Sequence, residues 1–218
     1  PAAPAGASSA ASERGPCRRG LPGRTELRPN GVGPGPGRRR GQLAGTIVTW
    51  PRETDQDLRR FYGEVGTRQV ELALPYPLIL GWPDKLGVYR TINRMVCHAL
   101  VRDSLRRIFE QTLAKYGRDR IGALRLDVFG GCLNVRRKRG STTEWSIHAW
   151  GAAVDLDPDR NRLRWGRDRA SLAGPEYADF WSIVEEEGWV SLGRAKNYDW
   201  MHFQAAVPPP NPLAFKPA

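Results

Sequence analysis

No apolar run in the 218 residues approaches the roughly 18 to 20 needed to cross a bilayer, so the chain as given does not read as membrane-spanning. Cysteine is scarce. Cys17, Cys97 and Cys132 are odd in number and lack a CxxC spacing, which argues against a disulfide framework and against a thiolate zinc cluster. A charged segment followed by an apolar one is missing from the start, so no secretory signal is visible and the route of export stays open. There is no internal repeat and no regular strand–helix–strand alternation, which favours an α+β architecture over a doubly wound sheet.

Positive charge, by contrast, is abundant. Lys and Arg number 34 against 23 Asp and Glu, for a net charge of +11 and an isoelectric point near 10.2. Such a balance attracts polyanions: nucleic acid, an anionic lipid surface or a cell-wall polymer. No helix-turn-helix, zinc-finger or RNP signature supports specific nucleic-acid recognition. Residues 1–45 carry eight Arg, two Glu, 7 Pro and 10 Gly without a single Trp, Tyr or Phe. That composition cannot bury enough apolar surface to offset its ordering entropy, so 1–45 is expected to be a disordered basic tail. All eight Trp lie beyond it, and one domain is expected over 46–218, acting as a monomer.

Within that domain Thr54 is placed to cap a short helix with Leu58, Phe61 and Tyr62 at helical spacing and Gly63 as its stop. Val70, Leu72 and Leu74 alternate like a strand, and Pro75-Tyr76-Pro77 must be extended or turning. The longest helix is expected from about Arg90 to Tyr116, with Val101, Leu105, Ile108, Phe109, Leu113 and Tyr116 on one face and Gly117 ending it. Leu124, Leu126 and Val128 read as a strand, followed by Gly130-Gly131 and the basic loop Arg136-Arg137-Lys138-Arg139-Gly140. Further strands are expected at Ala152–Leu156 and Trp200–Ala205, with a helix between them that starts at Pro175, carries Tyr177, Phe180, Ile183 and Val184, and stops at Gly188.

Two of only three histidines fall in Ser146-Ile147-His148-Ala149-Trp150-Gly151-Ala152-Ala153-Val154-Asp155-Leu156 and Asp199-Trp200-Met201-His202-Phe203-Gln204, each near a carboxylate. A catalytic zinc site needs three protein ligands and one open position, and His148, Asp155 and His202 can supply the three. Strand alternation puts Asp155 on a face with Ala153, and His202 on a face with Trp200 and Gln204, leaving Met201 and Phe203 for the core. Asp199 reaches the same site only from the turn that enters the last strand. Each residue alone has an ordinary reading as well: a hydrogen-bonded histidine, or an Asp155 that caps a turn. His98, remote from both motifs, reads as structural.

Taken together, the Ser-x-His-x-x-Gly-x-Ala-x-Asp pattern over Ser146–Asp155 and the Asp-x-x-His pattern over Asp199–His202 resemble the M15 zinc peptidases. These include D-alanyl-D-alanine carboxypeptidases, VanX- and VanY-like enzymes and phage L-alanyl-D-glutamate endolysins. The resemblance spans roughly Trp50 to Ala206. It implies a hedgehog/DD-peptidase-like α+β fold: a small antiparallel sheet with flanking helices around one zinc ion. It also implies His148, Asp155 and His202 as ligands, Asp199 as catalytic base, and Arg136, with Arg139 as fallback, as the cation that binds substrate or faces the oxyanion. The basic loop has a second reading as a solvated charge run. Ser146 either binds substrate or orients its loop. Trp150, like Trp200, either lines the cleft as a substrate-binding residue or packs, and Gly151 is read as allowing close backbone approach around the metal. The arginine spacing, and Asp rather than Glu in the second motif, look most like the endolysin branch. The implied substrate is the peptidoglycan stem peptide, cut at L-Ala–D-Glu or at a terminal D-Ala. Action at the cell wall, in the periplasm or outside the cell follows, with a cytoplasmic stage before release left open and anionic wall polymers as further partners. A zinc-containing wall-binding module without turnover is the reading from another class.

Overall fold

A computed structural model describes residues 49–210, so the expected tail over 1–45 and the domain start at 46 lie outside the described residues. The described chain is α+β, built on one six-stranded mixed sheet. Helix α1, Asp55–Tyr62, begins where the Thr54 hydroxyl accepts the Asp57 N–H and ends at Gly63, whose φ is +88°. A long hairpin follows, β1 over Gln69–Pro83 and β2 over Tyr89–His98. Its turn is held by the Asp84 carboxylate, which accepts the Leu86 and Val88 N–H groups. Pro75 and Pro77 stay extended inside β1 at a register shift between Ala73 and Leu78, which spares the ladder their missing donors.

The hairpin corrects the expected helix start. Arg90–His98 is strand, not helix, because Thr91, Ile92 and Val96 suit a pleated ladder and β1 supplies one in antiparallel register. Helix α2 instead runs Arg102–Leu124. Val101, Leu105, Ile108 and Phe109 form its buried face as the spacing predicts. Gly117 does turn left-handed (φ +67°), but the chain resumes its helix beyond it and buries Ile121 and Leu124. Leu124 is therefore helical, and strand β3 is confined to Val128–Gly131.

Strand β4 is Ala153–Leu156, α3 is Ala178–Glu186, β5 is Val190–Ser191, α4 is Leu192–Lys196 and β6 is His202–Gln204. The sheet order is β2-β1-β3-β4-β6-β5. Only β1 and β3 are parallel, so the sheet is mixed rather than purely antiparallel. In the β4–β6 pair, Val154 opposes Phe203 while Asp155 opposes His202 and Ala153 opposes Gln204. Phe203 packs against Phe180, Trp181 and Trp189, so one face of the pair closes the aromatic core. The other face is left for polar side chains. Tyr62 ties α1 to the end of β6 by donating to the Ala205 carbonyl at 2.6 Å. No helix among the described residues is long and apolar enough to cross a membrane.

Candidate active site

His148 sits in a single 3-10 turn, Ile147–Trp150, rather than on a strand. The turn is short because Gly151 leaves it left-handed (φ +66°), and a Cβ there would meet the Gln69 side chain at 2.6 Å. The close approach expected at Gly151 is therefore to the β1–β2 hairpin end and not around a metal. His148 Nδ1 lies 2.8 Å from the Cys132 carbonyl, which can only accept, so Nδ1 carries the proton and Nε2 presents a lone pair. Asp155 reaches the same point from β4, paired with Gly131 and packed on Gly130, where a Cβ would come within 2.8 Å of the Asp155 Cβ. His202 enters from β6 with Nδ1 toward Asp155 and Nε2 2.9 Å from Gln204 Oε1.

The three side chains converge. His148 Nε2 is 3.1 Å from His202 Nδ1 and 3.4 Å from Asp155 Oδ2, and His202 Nδ1 is 2.9 Å from Asp155 Oδ1. Ligand bonds of about 2.0–2.1 Å in a tetrahedron give edges of roughly 3.3 Å, so these spacings fit a zinc ion. The donor set of two imidazoles and one carboxylate suits that metal, and all three can offer an atom to a common centre. Electrostatics points the same way. Burial works against the Asp155 anion, yet the His148 and His202 rings outweigh it and hold its carboxyl well below the usual carboxylate range. Burial likewise disfavours a charged His202, but Asp155 and Asp199 push its pKa up to about 9. A buried carboxylate that stays ionised between two imidazoles is a donor set able to receive a cation.

Asp199 stands in the turn into β6, as strand alternation requires. Its φ is +54°, its N–H donates to Leu163 and its carbonyl accepts the His202 N–H, so the Asp-x-x-His spacing is one tight turn. Oδ1 of Asp199 is buried without a hydrogen-bond partner among the described residues. Burial, aided by Asp155, raises its carboxyl to about 6 against the pull of His202, His148 and Arg139. Such an acceptor is poised to hold a proton near neutral pH.

A cleft of about 260 Å³ opens over these groups and is lined also by Arg136, Arg139, Ser146, Glu53, Lys138, Tyr198, Met201 and Gln204. Ser146 is buried and precedes the His148 turn, with its N–H on the Arg136 carbonyl at 3.1 Å. The basic loop divides its side chains: Arg136 and Arg139 border the cleft, whereas Arg137 stacks on Trp145 at 3.8 Å.

Trp150 is not a cleft residue. It is fully buried and donates to the Gly63 carbonyl at 2.8 Å, joining the His148 turn to α1, so the packing alternative holds. Trp200 packs as well: β6 begins only at His202, which leaves Trp200 in the turn beside Trp181 and not on the His202 face. Met201, expected in the core, borders the cleft for the same reason. His98 is structural, pairing with the Tyr62 carbonyl through Nε2 and accepting the Leu100 N–H through Nδ1.

Sequence reasoning missed Glu53 and gave Lys138 only as part of a charge run. Lys138 reaches Glu53 at 2.9 Å, and Glu53 accepts from Gln204 at 2.8 Å. Gln204 had a signal, since it shares a strand face with His202. Glu53 had none, because it arrives through the pairing of Arg52 with Val207 far along the chain.

No curated protein and no solved structure matches the chain. Residues 139–205 match the family model described as D-alanyl-D-alanine carboxypeptidase, of the M15 peptidases. That segment, under a third of the chain, holds Arg139, Ser146, His148, Asp155, Asp199 and His202, and it is similar to the M15 peptidases that the two motifs resemble.

Proposed function

We propose that this protein is a zinc-dependent peptidase of the hedgehog/DD-peptidase-like kind that hydrolyses peptidoglycan stem peptides, cutting the L-alanyl-D-glutamate bond. The observation that carries a metallopeptidase reading is the convergence of His148 Nε2, His202 Nδ1 and the Asp155 carboxylate within 3.4 Å of one another, beside an Asp199 whose Oδ1 is buried without a hydrogen-bond partner among the described residues. His148, Asp155 and His202 would hold the ion. When bound, zinc supplies Lewis acidity and brings a water into the range where it ionises near neutral pH. Asp199 accepts a proton at its carboxylate and returns it to the departing amine. Arg136, with Arg139 behind it, faces the negative charge that grows on the scissile carbonyl oxygen. Ser146 holds the basic loop against the His148 turn through its backbone.

A second reading, removal of a terminal D-Ala, is favoured by the description of the matched family. A wall-binding module without turnover is disfavoured by Asp199, for which a purely structural metal site has no use. The wall is the proposed site of action, and the chain's positive charge would favour its anionic polymers. Mass spectrometry of peptidoglycan digested by zinc-loaded protein, beside Asp199→Ala, tests the reading. New L-Ala carboxyl and D-Glu amino ends are expected. Released D-Ala would move the enzyme to the carboxypeptidase branch, and no products from a protein that binds one zinc would sink the peptidase.

A further inference from the structure

We propose that Glu53 is a positioning residue for the metal centre: acting through Gln204, it selects which nitrogen of His202 carries the proton and so which one is free to bind metal. The inference rests on the reading of His148, Asp155 and His202 as a zinc set. It follows from donor and acceptor identity alone. One Glu53 oxygen accepts from Lys138 Nζ at 2.9 Å and the other from Gln204 Nε2 at 2.8 Å, in a side chain only 11% exposed. The second Gln204 N–H meets the Ala206 carbonyl at 3.1 Å. Both neighbours are acceptors, so the amide nitrogen of Gln204 must face them and its oxygen must face His202. That oxygen lies 2.9 Å from His202 Nε2, which therefore donates, so in the neutral ring it is Nδ1 that turns a lone pair toward His148 and Asp155.

The opposite arrangement is close by and unproductive. Asp155 Oδ1, 2.9 Å from Nδ1, is itself an acceptor and draws the ring proton toward the metal position. A Gln204 amide turned by 180° would then donate to Nε2, and every local hydrogen bond of the ring would still be made. Nothing on His202 or Asp155 decides between the two. Glu53 does, together with the Ala206 carbonyl, because neither acceptor can donate to a flipped Gln204, and the charged Glu53 oxygen at 2.8 Å is the nearer of the two. Fixing a ligand's orientation from outside the coordination sphere has precedent in metal sites generally, where loss of such a partner costs about 10- to 100-fold in affinity or activity.

Zinc affinity, measured by chelator competition on the full chain, is the readout, with circular dichroism of each metal-free variant as the folding control. Glu53→Gln should weaken zinc binding by about 10-fold or more. Exchanging the two groups, Glu53→Gln with Gln204→Glu, should recover affinity to within about threefold, since the carboxylate then accepts from His202 directly and Gln at 53 donates to it. Lys138→Met, which removes the ion pairs to Glu53 and Glu144 but not the Glu53–Gln204 hydrogen bond, should leave zinc affinity within about threefold of the parent. A Glu53→Gln variant that binds zinc like the parent would overturn the proposal. So would a Lys138→Met variant as weak as Glu53→Gln, or an exchange that recovers nothing in a folded protein. A parent chain that binds no zinc would instead bring down the metal reading itself.

Discussion

The two faces of the β4–β6 pair are built from alternating residues of the same short strands, yet they have opposite physical tasks. On one, Val154 and Phe203 are fully buried and Phe203 meets three aromatic rings with centroids 5.5 to 6.4 Å away. On the other, Asp155, His202 and Gln204 are also largely buried, but each spends its polar atoms on named partners. The first face gains from removing apolar surface from water. The second tolerates burial only because charge and hydrogen bonding are matched, and its three converging donors could hold a cation. Strand alternation therefore separates what stabilises the fold from what performs chemistry, one residue apart.

The sharpest break of that separation is His202→Ala. It should abolish zinc binding, read as metal per chain, while the fold survives, because the core side of β6 is untouched. Next comes Asp199→Ala. Turnover should fall by about 10² to 10⁴, the range for a positioned acid–base, with zinc still bound. A parent-like rate would remove Asp199 from the mechanism. The same residue predicts a pH dependence. Asp199 must be ionised to accept a proton and its carboxyl stands at about 6, so kcat/KM should drop as pH falls through that value and hold above it. The acid limb should be absent from whatever activity Asp199→Ala retains.

On the apolar face, Phe203→Ala should cost about 3–5 kcal/mol of unfolding free energy, measured by denaturant titration. If it abolished zinc binding without changing stability, the two faces would not be separable as described.

Legibility followed the same division. The candidate ligands His148, Asp155 and His202, and with them Asp199, are readable because their chemistry is tied to short fixed spacings, and strand alternation puts Asp199 in a turn once it is taken to share their site. α1 was readable from its Thr54 cap and Gly63 stop, and the buried stripe of α2 from its spacing. What escaped depends on distant pairing. Arg90–His98 reads as the start of a helix until β1 is known to lie beside it, since a ladder outweighs local preference. The parallel β1–β3 pair joins residues far apart in sequence and leaves no local trace. Glu53 belongs to the site only because the chain closes on itself at Arg52 and Val207.

The smallest effect concerns Trp150, which lies between the two histidines in sequence and looks like a cleft aromatic. Its ring is fully buried and its N–H donates to Gly63, so it belongs to the stabilising side of the molecule despite its place in the motif. Trp150→Phe keeps most of the apolar volume and removes the donor, leaving the Gly63 carbonyl without it. A loss of about 0.5 to 1.5 kcal/mol is expected, with KM and kcat close to those of the parent. A large rise in KM at unchanged stability would put Trp150 back in contact with substrate, and would mean that the His148 turn opens its inner side to the cleft when substrate binds.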